Sequence, residues 1–265
     1  MAFAPDGRLV VADSNNNRIH VLDVNGEVIT TFGEPGSAPG QFNEPWGVAV
    51  DGDGNIYVAD TWNHRIQKFA PDGTFLKAWG TFADTQGTLE QPGAFWGPRG
   101  IFVTDDGRVL VADTGNKRVQ VFDTEGTFLG MFGGRGSEHG KMDEPTSVAV
   151  GPDGTIYVAD TWNQRVQAFG PDFSFLRQWP VAGWRGQSVL NKPAIATDGR
   201  RVWVSDPEAH RLVEFDIVGN VLRVWGRLGS DATSLNLPLG LAYRDGLLAV
   251  ADSNNNRVQL FNVGP

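Results

Sequence analysis

Residues Tyr57–Phe69 read YVADTWNHRIQKF. Apolar residues recur at every second place on either side of a polar centre, the period of half-buried strands rather than of a helix. Thr61–His64 is the turn between the two strands. Related stretches recur along the chain as VVADSNNNRIHVL, LVADTGNKRVQVF, YVADTWNQRVQAF, WVSDPEAHRLVEF and AVADSNNNRVQLF. Their aspartates are Asp13, Asp60, Asp113, Asp160, Asp206 and Asp252, spaced 46 to 53 residues apart. A repeat of that length points to a propeller or a solenoid.

Each period holds four strand segments. Around Tyr57–Phe69, Gly47–Val50 is a short apolar strand and Asp51–Gly54 (DGDG) a tight turn. Ile56–Ala59 and Arg65–Phe69 follow as second and third strands, Pro71–Gly73 turns the chain, and Phe75–Trp79 is the fourth. Six such units predict an all-β, six-bladed β-propeller of four-stranded antiparallel blades, a single domain over residues 1–265. Its blade cores lie near 8–22, 55–69, 108–122, 155–169, 201–215 and 247–261. A solenoid fits less well, because the units lack a helix and the end copies are too alike to be caps. The last blade stops after its third strand, Arg257–Phe261. Its open edge is a place for self-association by strand pairing, and the chain reads as an excised domain or as a propeller with one three-stranded blade.

Composition narrows the function classes. Lys and Arg total 22 against 31 Asp and Glu, a net charge of −9, which argues against a nucleic-acid partner. The chain has 34 Gly and 15 Pro yet is 40% hydrophobic, as a turn-rich β protein is. With no cysteine, disulfides and thiolate metal sites are excluded. No apolar run approaches the ~20 residues of a membrane span, and the first residues lack a signal peptide's charged and apolar regions.

The D-x-x-N-x-R core, with apolar-Val-Ala before it and an alternating strand after it, resembles the NHL repeat. Arg18, Arg65, Arg118, Arg165, Arg211 and Arg257 each follow the aspartate by five residues. The asparagine is Asn16, Asn63, Asn116, Asn163 and Asn255, and becomes Ala209 in the fifth copy. The resemblance spans essentially the whole chain and implies the six-bladed fold, while leaving function open. DTWNHR, FWGPRG and GWRGQSVLNKP together are similar to NHL domains attached to bacterial multi-pass membrane proteins of glycosyltransferase type. That likeness implies a piece of a larger bacterial protein, placed outside the cytoplasm.

Six copies of Asp and Arg on separate blades cannot converge on one active site, so they read as scaffold: Asp capping its turn, Arg forking onto a carboxylate or carbonyls. DGDGN at Asp51–Asn55 begins like a calcium loop, but Trp62 stands at the twelfth position where a bidentate Glu is required. The resemblance also implies a place to look for enzymes: related lyases and lactonases hold a metal in the central channel. The channel-mouth positions here are Trp46, Arg99, Thr146, Ala194 and Leu239, each directly after a proline, and none is His or a carboxylate. Glu44 and Glu144, before two of those prolines, are the acidic candidates for a divalent metal. No G-x-S-x-G elbow occurs. No catalytic residue and no cofactor are assigned.

The loop face is the remaining candidate. It gathers Trp46, Trp62, Trp96, Trp162 and Trp184 with Arg99, Gln187, Asn191 and Lys192, whereas Trp79, Trp179 and Trp225 end fourth strands and read as core. Two crossings break the repeat, Thr81–Gly97 and Pro180–Pro193, and irregular loops on a rigid scaffold carry recognition. The expectation is a non-catalytic module binding a glycan or a peptide, or a protein presenting one, through Trp46, Trp96, Arg99, Trp184, Gln187, Asn191 and Lys192. The alternatives are a metal-assisted lactonase or lyase at the channel and a structural spacer.

Overall fold

The computed structural model describes residues 1–185 and 192–264, so Gln187 and Asn191 lie outside the described residues. The fold is a six-bladed β-propeller, and every blade sheet runs in sequence order with antiparallel neighbours. Two compact units each contain three blades, Met1–Gly136 and Ser137–Pro265. In the first unit the blades are Ala2–Phe3, Leu9–Asp13, Arg18–Leu22, Val28–Phe32; then Pro45–Val50, Ile56–Asp60, Arg65–Phe69, Phe75–Trp79; then Pro98–Val103, Arg108–Asp113, Arg118–Asp123, Phe128–Gly133. In the second unit they are Pro145–Val150, Ile156–Asp160, Arg165–Phe169, Phe175–Pro180; then Ile195–Thr197, Arg201–Asp206, Arg211–Asp216, Val221–Trp225; and last Pro238–Arg244, Leu247–Asp252, Arg257–Asn262, a sheet of three strands as expected.

Blades pack face to face through their middle strands. Ile56–Asp60 is buried along its whole length, and Tyr57, Ile66, Phe95, Val109 and Phe122 form one core cluster joining the second and third blades. Outer strands show water one side: Leu76 and Leu129 are about half exposed. Three of the aromatics that end fourth strands lie over the turn glycine of the following blade. A Cβ on Gly73 would stand 2.6 Å from Phe32, on Gly126 2.6 Å from Trp79, and on Gly219 2.5 Å from Trp179. These glycines are also left-handed, with φ of 88°, 77° and 98°, so both the backbone and the ring require a residue without a side chain. Trp79, Trp179 and Trp225 are core accordingly.

The repeated polar residues fasten the crossings between blades. Asp60 is fully buried; its Oδ2 accepts from Arg65 Nε at 2.7 Å, Asn63 Nδ2 at 2.9 Å and Gln67 Nε2 at 3.0 Å. Its Oδ1 accepts from the Asn43 amide at 2.8 Å, in the incoming crossing. Arg65 then reaches the same crossing, donating to the carbonyls of Ser37, Ala38 and Gln41. Asp113 repeats this with Trp96 N, Asn116, Arg118 and Gln120, and Asp160 with Asp143 N, Asn163, Arg165 and Gln167. The scaffold reading of Asp and Arg holds. The glutamine two residues beyond the arginine belongs to the same network, and its signal was present in the sequence as Gln67, Gln120, Gln167 and Gln259.

Burial pushes the Asp113 carboxyl up, against the Arg118 charge and the donors from Trp96 and Asn116. At the more exposed Asp13, burial also pushes upward, but bonds from Arg18, Asn16 and His20 outweigh it and hold the carboxyl below its ordinary value. The fifth blade is stripped: Ala209 stands where the other five blades have Asn and Val213 where four of them have Gln, and Asp206 keeps Arg211 Nε at 2.8 Å. Its buried Oδ1 has no hydrogen-bond partner among the described residues.

Candidate functional site: the loop face

Between second and third strands, Thr61–Asn63 makes one 3-10 turn that ends on His64 in the left-handed conformation, φ 56°. This turn carries Trp62, whose backbone N–H bonds the Asn43 carbonyl of the incoming crossing. In four crossings the residue before the proline is left-handed as well: Glu44, Gly97, Glu144 and Leu237, with φ of 50°, 60°, 48° and 60°. In three of them a side chain of the preceding blade accepts from its amide. Asn17 Oδ1 accepts from Glu44 N at 2.8 Å, and His64 Nδ1 and His210 Nδ1 accept from Gly97 N and Leu237 N at 3.1 Å. Accepting from an amide fixes Nδ1 as the unprotonated ring nitrogen. Burial pushes the His64 imidazole down from its ordinary value, opposed by the nearby Asp60 charge.

In the first unit this framework assembles an aromatic ridge. Trp62 is 43% exposed and its Nε1 donates to Glu44 Oε2 at 2.9 Å. Its ring meets His64 edge to face at 6.3 Å, His64 meets Phe82 at 4.7 Å, and Phe82 meets Trp96 edge to face at 6.5 Å. Phe82 is 58% exposed and Trp96 37%. The long crossing reaches this position because Thr81–Phe82 and Ala94–Phe95 pair as a parallel two-residue ladder. Asp113 then takes the Trp96 amide at 2.8 Å, and the indole lies on Gly115, where a Cβ would stand 2.5 Å from the ring. Beside the ridge, the Arg99 guanidinium lies 4.2 Å from the centroid of Trp46. Gly47 is required there, since a Cβ would come within 2.1 Å of the Arg99 carbonyl oxygen. A shallow depression of about 300 Å³ lies on the same crossing, lined by Asn17, Pro35, Gly36, Asn43 and Asn63 among others.

The second unit handles the equivalent residues differently, and across the two units three expectations are corrected. Trp184 is 1% exposed, not a platform on the loop face: Ala182–Trp184 forms a turn, and the indole Nε1 donates to the Ser205 carbonyl at 2.9 Å. Lys192 is likewise 1% exposed, because its ammonium is drawn onto Glu144 Oε2 at 2.7 Å, beneath the Trp162 ring at 5.6 Å. Arg99, in the first unit, is 8% exposed, its charge covered by Trp46. Of the expected contact residues, Trp96 is exposed and Trp46 half-buried, while Gln187 and Asn191 lie outside the described residues. Trp162 is 49% exposed and Trp62 43%; with Phe82, these are the surface rings that sequence reasoning left outside its ligand set. Phe82 was signalled only by its place next to a strand-ending Trp-Gly.

Glu44 and Glu144 stand in different units, one bonded to Trp62 and the other to Lys192. Among the described residues no three His, Asp or Glu side chains converge in a metal-sized cluster. Asp51 accepts from Asp53 N, Asn55 N and Tyr57 Oη, so DGDGN is a β-turn. Among the described residues no helix is long and apolar enough to cross a membrane.

A family model for the NHL repeat matches residues 1–22, 42–69, 95–122, 142–169 and 235–261. The longest unmatched interval, 170–234, contains the stripped fifth blade. Over 128 residues the chain is 32% identical to protein brain tumor of Drosophila melanogaster, a match covering 47% of this chain and 11% of that protein. Over 132 residues it is 33% identical to peptidyl-glycine alpha-amidating monooxygenase A of Xenopus laevis, covering 47% of this chain and 14% of that protein. The matched stretch is thus a small part of both curated relatives. Among solved structures, streptogramin B lyase superposes with a TM-score of 0.64 at 17% identity, over 94% of this chain and 74% of that one. Virginiamycin B lyase from Staphylococcus aureus gives 0.63 at 12% identity, over 98% and 82%. At such identities the likeness is one of fold.

Proposed function

The chain belongs to the NHL-repeat family, and on that premise we propose that it is a non-catalytic recognition module whose ligand seats on the ridge Trp62–His64–Phe82–Trp96. The observation that carries this reading is three large exposed rings held in contact through one histidine, on loops that Asp60 and Asp113 fasten to the scaffold. Surface aromatics of this size and order lower solubility unless something covers them. The rings meet at near right angles, leaving notches that suit apolar side chains better than a flat sugar face. Glu44 at one end and the net charge of −9 favour a ligand with basic residues. Of the two ligands open at the outset, a peptide segment of a protein partner is therefore preferred to a glycan. The setting we propose is a domain of a larger bacterial protein outside the cytoplasm, in line with the similarity to membrane-attached NHL domains.

The test selects peptides from a displayed random library on the immobilised protein. Trp96→Ser and Phe82→Ser should each weaken the selected peptide about tenfold or more, the size expected for a buried aromatic anchor, with the melting temperature lowered by only about 2–4 °C. Retained affinity in both variants would remove the ridge from the site, and selective capture of glycans on an array would replace the peptide.

A second reading takes support from the likeness to lyases and amidating monooxygenases: a metal-assisted lyase or hydrolase with Glu44 as a metal ligand. Stoichiometric divalent metal in the purified protein, lost in Glu44→Gln, would carry that reading over the first.

A further inference from the structure

One arrangement on the loop side occurs twice, once in each unit. A crossing ends on Glu-Pro, and the blade it enters carries Asp-Thr-Trp in its turn: Glu44 with Trp62, and Glu144 with Trp162. The two tryptophans are placed alike. The Trp62 amide donates to the Asn43 carbonyl and the Trp162 amide to the Asp143 carbonyl, each at 3.1 Å, and the rings are 43% and 49% exposed. The following crossing then passes each turn with its proline carbonyl anchored, Pro98 O by Thr61 Oγ1 and Pro193 O by Thr146 Oγ1, both at 2.9 Å. The residue before that proline is where the two copies part: Gly97 in the first unit, Lys192 in the second.

In the second unit the chain fills the place itself. Lys192 Nζ lies 2.7 Å from Glu144 Oε2 and 5.6 Å from the centroid of Trp162. An ammonium between a carboxylate and an indole face is attracted by both. In the first unit Gly97 brings no side chain. A Cβ on it would meet only Trp62 at 3.7 Å and Thr61 at 3.9 Å, ordinary contact distances, so a stem entering there runs directly onto the ring. Glu44 is exposed, accepts from Trp62 Nε1 through Oε2, and has no ion pair among the described residues. Among the described residues no lysine or arginine lies over the Trp62 ring. His64, edge-on to Trp62 at 6.3 Å, accepts the Gly97 amide on Nδ1, and burial holds its imidazole below its ordinary value, so at neutral pH it brings no competing charge.

Resting on the reading of the ridge as a peptide-binding surface, we propose that Trp62, Glu44 and Gly97 form a receptor for one lysine side chain of the bound partner. The partner's ammonium takes the place against indole and carboxylate that Lys192 takes in the second unit, and its methylene stem covers the strip beside Gly97. Trp62 begins the ridge, so the lysine is seated next to the aromatic contacts of His64, Phe82 and Trp96. The net charge of −9 draws a basic segment toward this surface.

The test titrates acetyl-lysine methylamide into the intact protein labelled with 5-fluorotryptophan and follows the fluorine resonances. That of Trp62 should shift and saturate at a Kd on the order of millimolar, while that of Trp162, already faced by Lys192, stays fixed. Acetyl-norleucine methylamide, which has the same stem without the ammonium, should leave Trp62 unmoved over the same range. Glu44→Gln keeps an acceptor for the indole N–H and should weaken the lysine about threefold. Gly97→Lys supplies the ammonium from within and should abolish the response; a side chain is tolerated before a proline at this φ, as Leu237 shows at 60°. No shift at Trp62, an equal shift with norleucine, a parallel shift at Trp162, or a response unchanged in both Glu44→Gln and Gly97→Lys would overturn the proposal. The subsite and the ridge can also fail separately. Library-selected peptides that depend on Phe82 and Trp96 but share no lysine would overturn the subsite and keep the ridge. A lysine response at Trp62 in a protein that selects no peptide would keep the subsite and remove the ridge.

Discussion

Two irregular crossings each deliver a tryptophan to the loop side of a blade, with opposite results. In the first unit Trp96 ends a long crossing with its ring 37% exposed beside Phe82; in the second, Trp184 is 1% exposed and hydrogen-bonded to a backbone carbonyl. The difference lies in what the blade offers the incoming chain. Asp113 takes the Trp96 amide, and with Asn116 and Gln120 completes a polar clamp that fixes the backbone and leaves the ring outside. The fifth blade has Ala209 and Val213 in those places, Asp206 takes no crossing amide among the described residues, and Gly183 lies against its carboxylate. Here the indole goes inward. In these two blades the exposed indole goes with the satisfied clamp and the buried one with the incomplete clamp.

The largest effect that could break this comparison is the loss of the clamp itself. Asp113→Asn leaves Arg118, 0% exposed, without its counter-charge. We expect a cost of about 3–5 kcal/mol in urea unfolding. Asp206→Asn, whose Arg211 side chain is 38% exposed, should cost about 1.5 kcal/mol. Equal losses would mean that the two clamps do the same work.

Next come the rings. Trp184→Ala removes a buried indole and should cost about 3–5 kcal/mol, whereas Trp96→Ala should cost about 1 kcal/mol. A comparable loss at Trp96 would make it core rather than a contact surface.

The fold was legible because each blade repeats a strand period and a polar turn whose side chains bond locally, as Asp60 does with Asn63 and Arg65. The loop face was legible only in outline. Pattern places Trp96 and Trp184 in crossings, but their exposure depends on backbone path, which is set by long-range bonds such as Trp96 N to Asp113 and Trp184 Nε1 to Ser205 O. For the same reason Lys192 and Glu144, 48 positions apart, could not be seen as a pair that buries the lysine. Phe82 was passed over because no periodicity marks it.

The smallest effect sharpens the role of the histidine at the centre of the ridge. His64 accepts the Gly97 amide only while Nδ1 is unprotonated, and burial lowers its pKa from the ordinary 6.5. Because the unfolded chain then takes up the proton first, stability should fall as pH drops below about 6.5, and the loss should be complete below the lowered folded pKa. Asparagine occupies the same place at Asn17 and Asn256 and does not titrate. His64→Asn should therefore flatten this part of the profile in thermal melts taken from pH 8 to pH 4.5, and an unchanged profile would remove His64 as its source.

The most direct measurement of the ridge as a binding surface uses protein labelled with 5-fluorotryptophan, titrated with a library-selected peptide and followed by fluorine NMR. Trp62 and Trp96 resonances, assigned by single substitution, should move with saturation while that of Trp184 stays fixed. Binding that moves neither Trp62 nor Trp96 would contradict the assignment of the recognition site to the aromatic ridge.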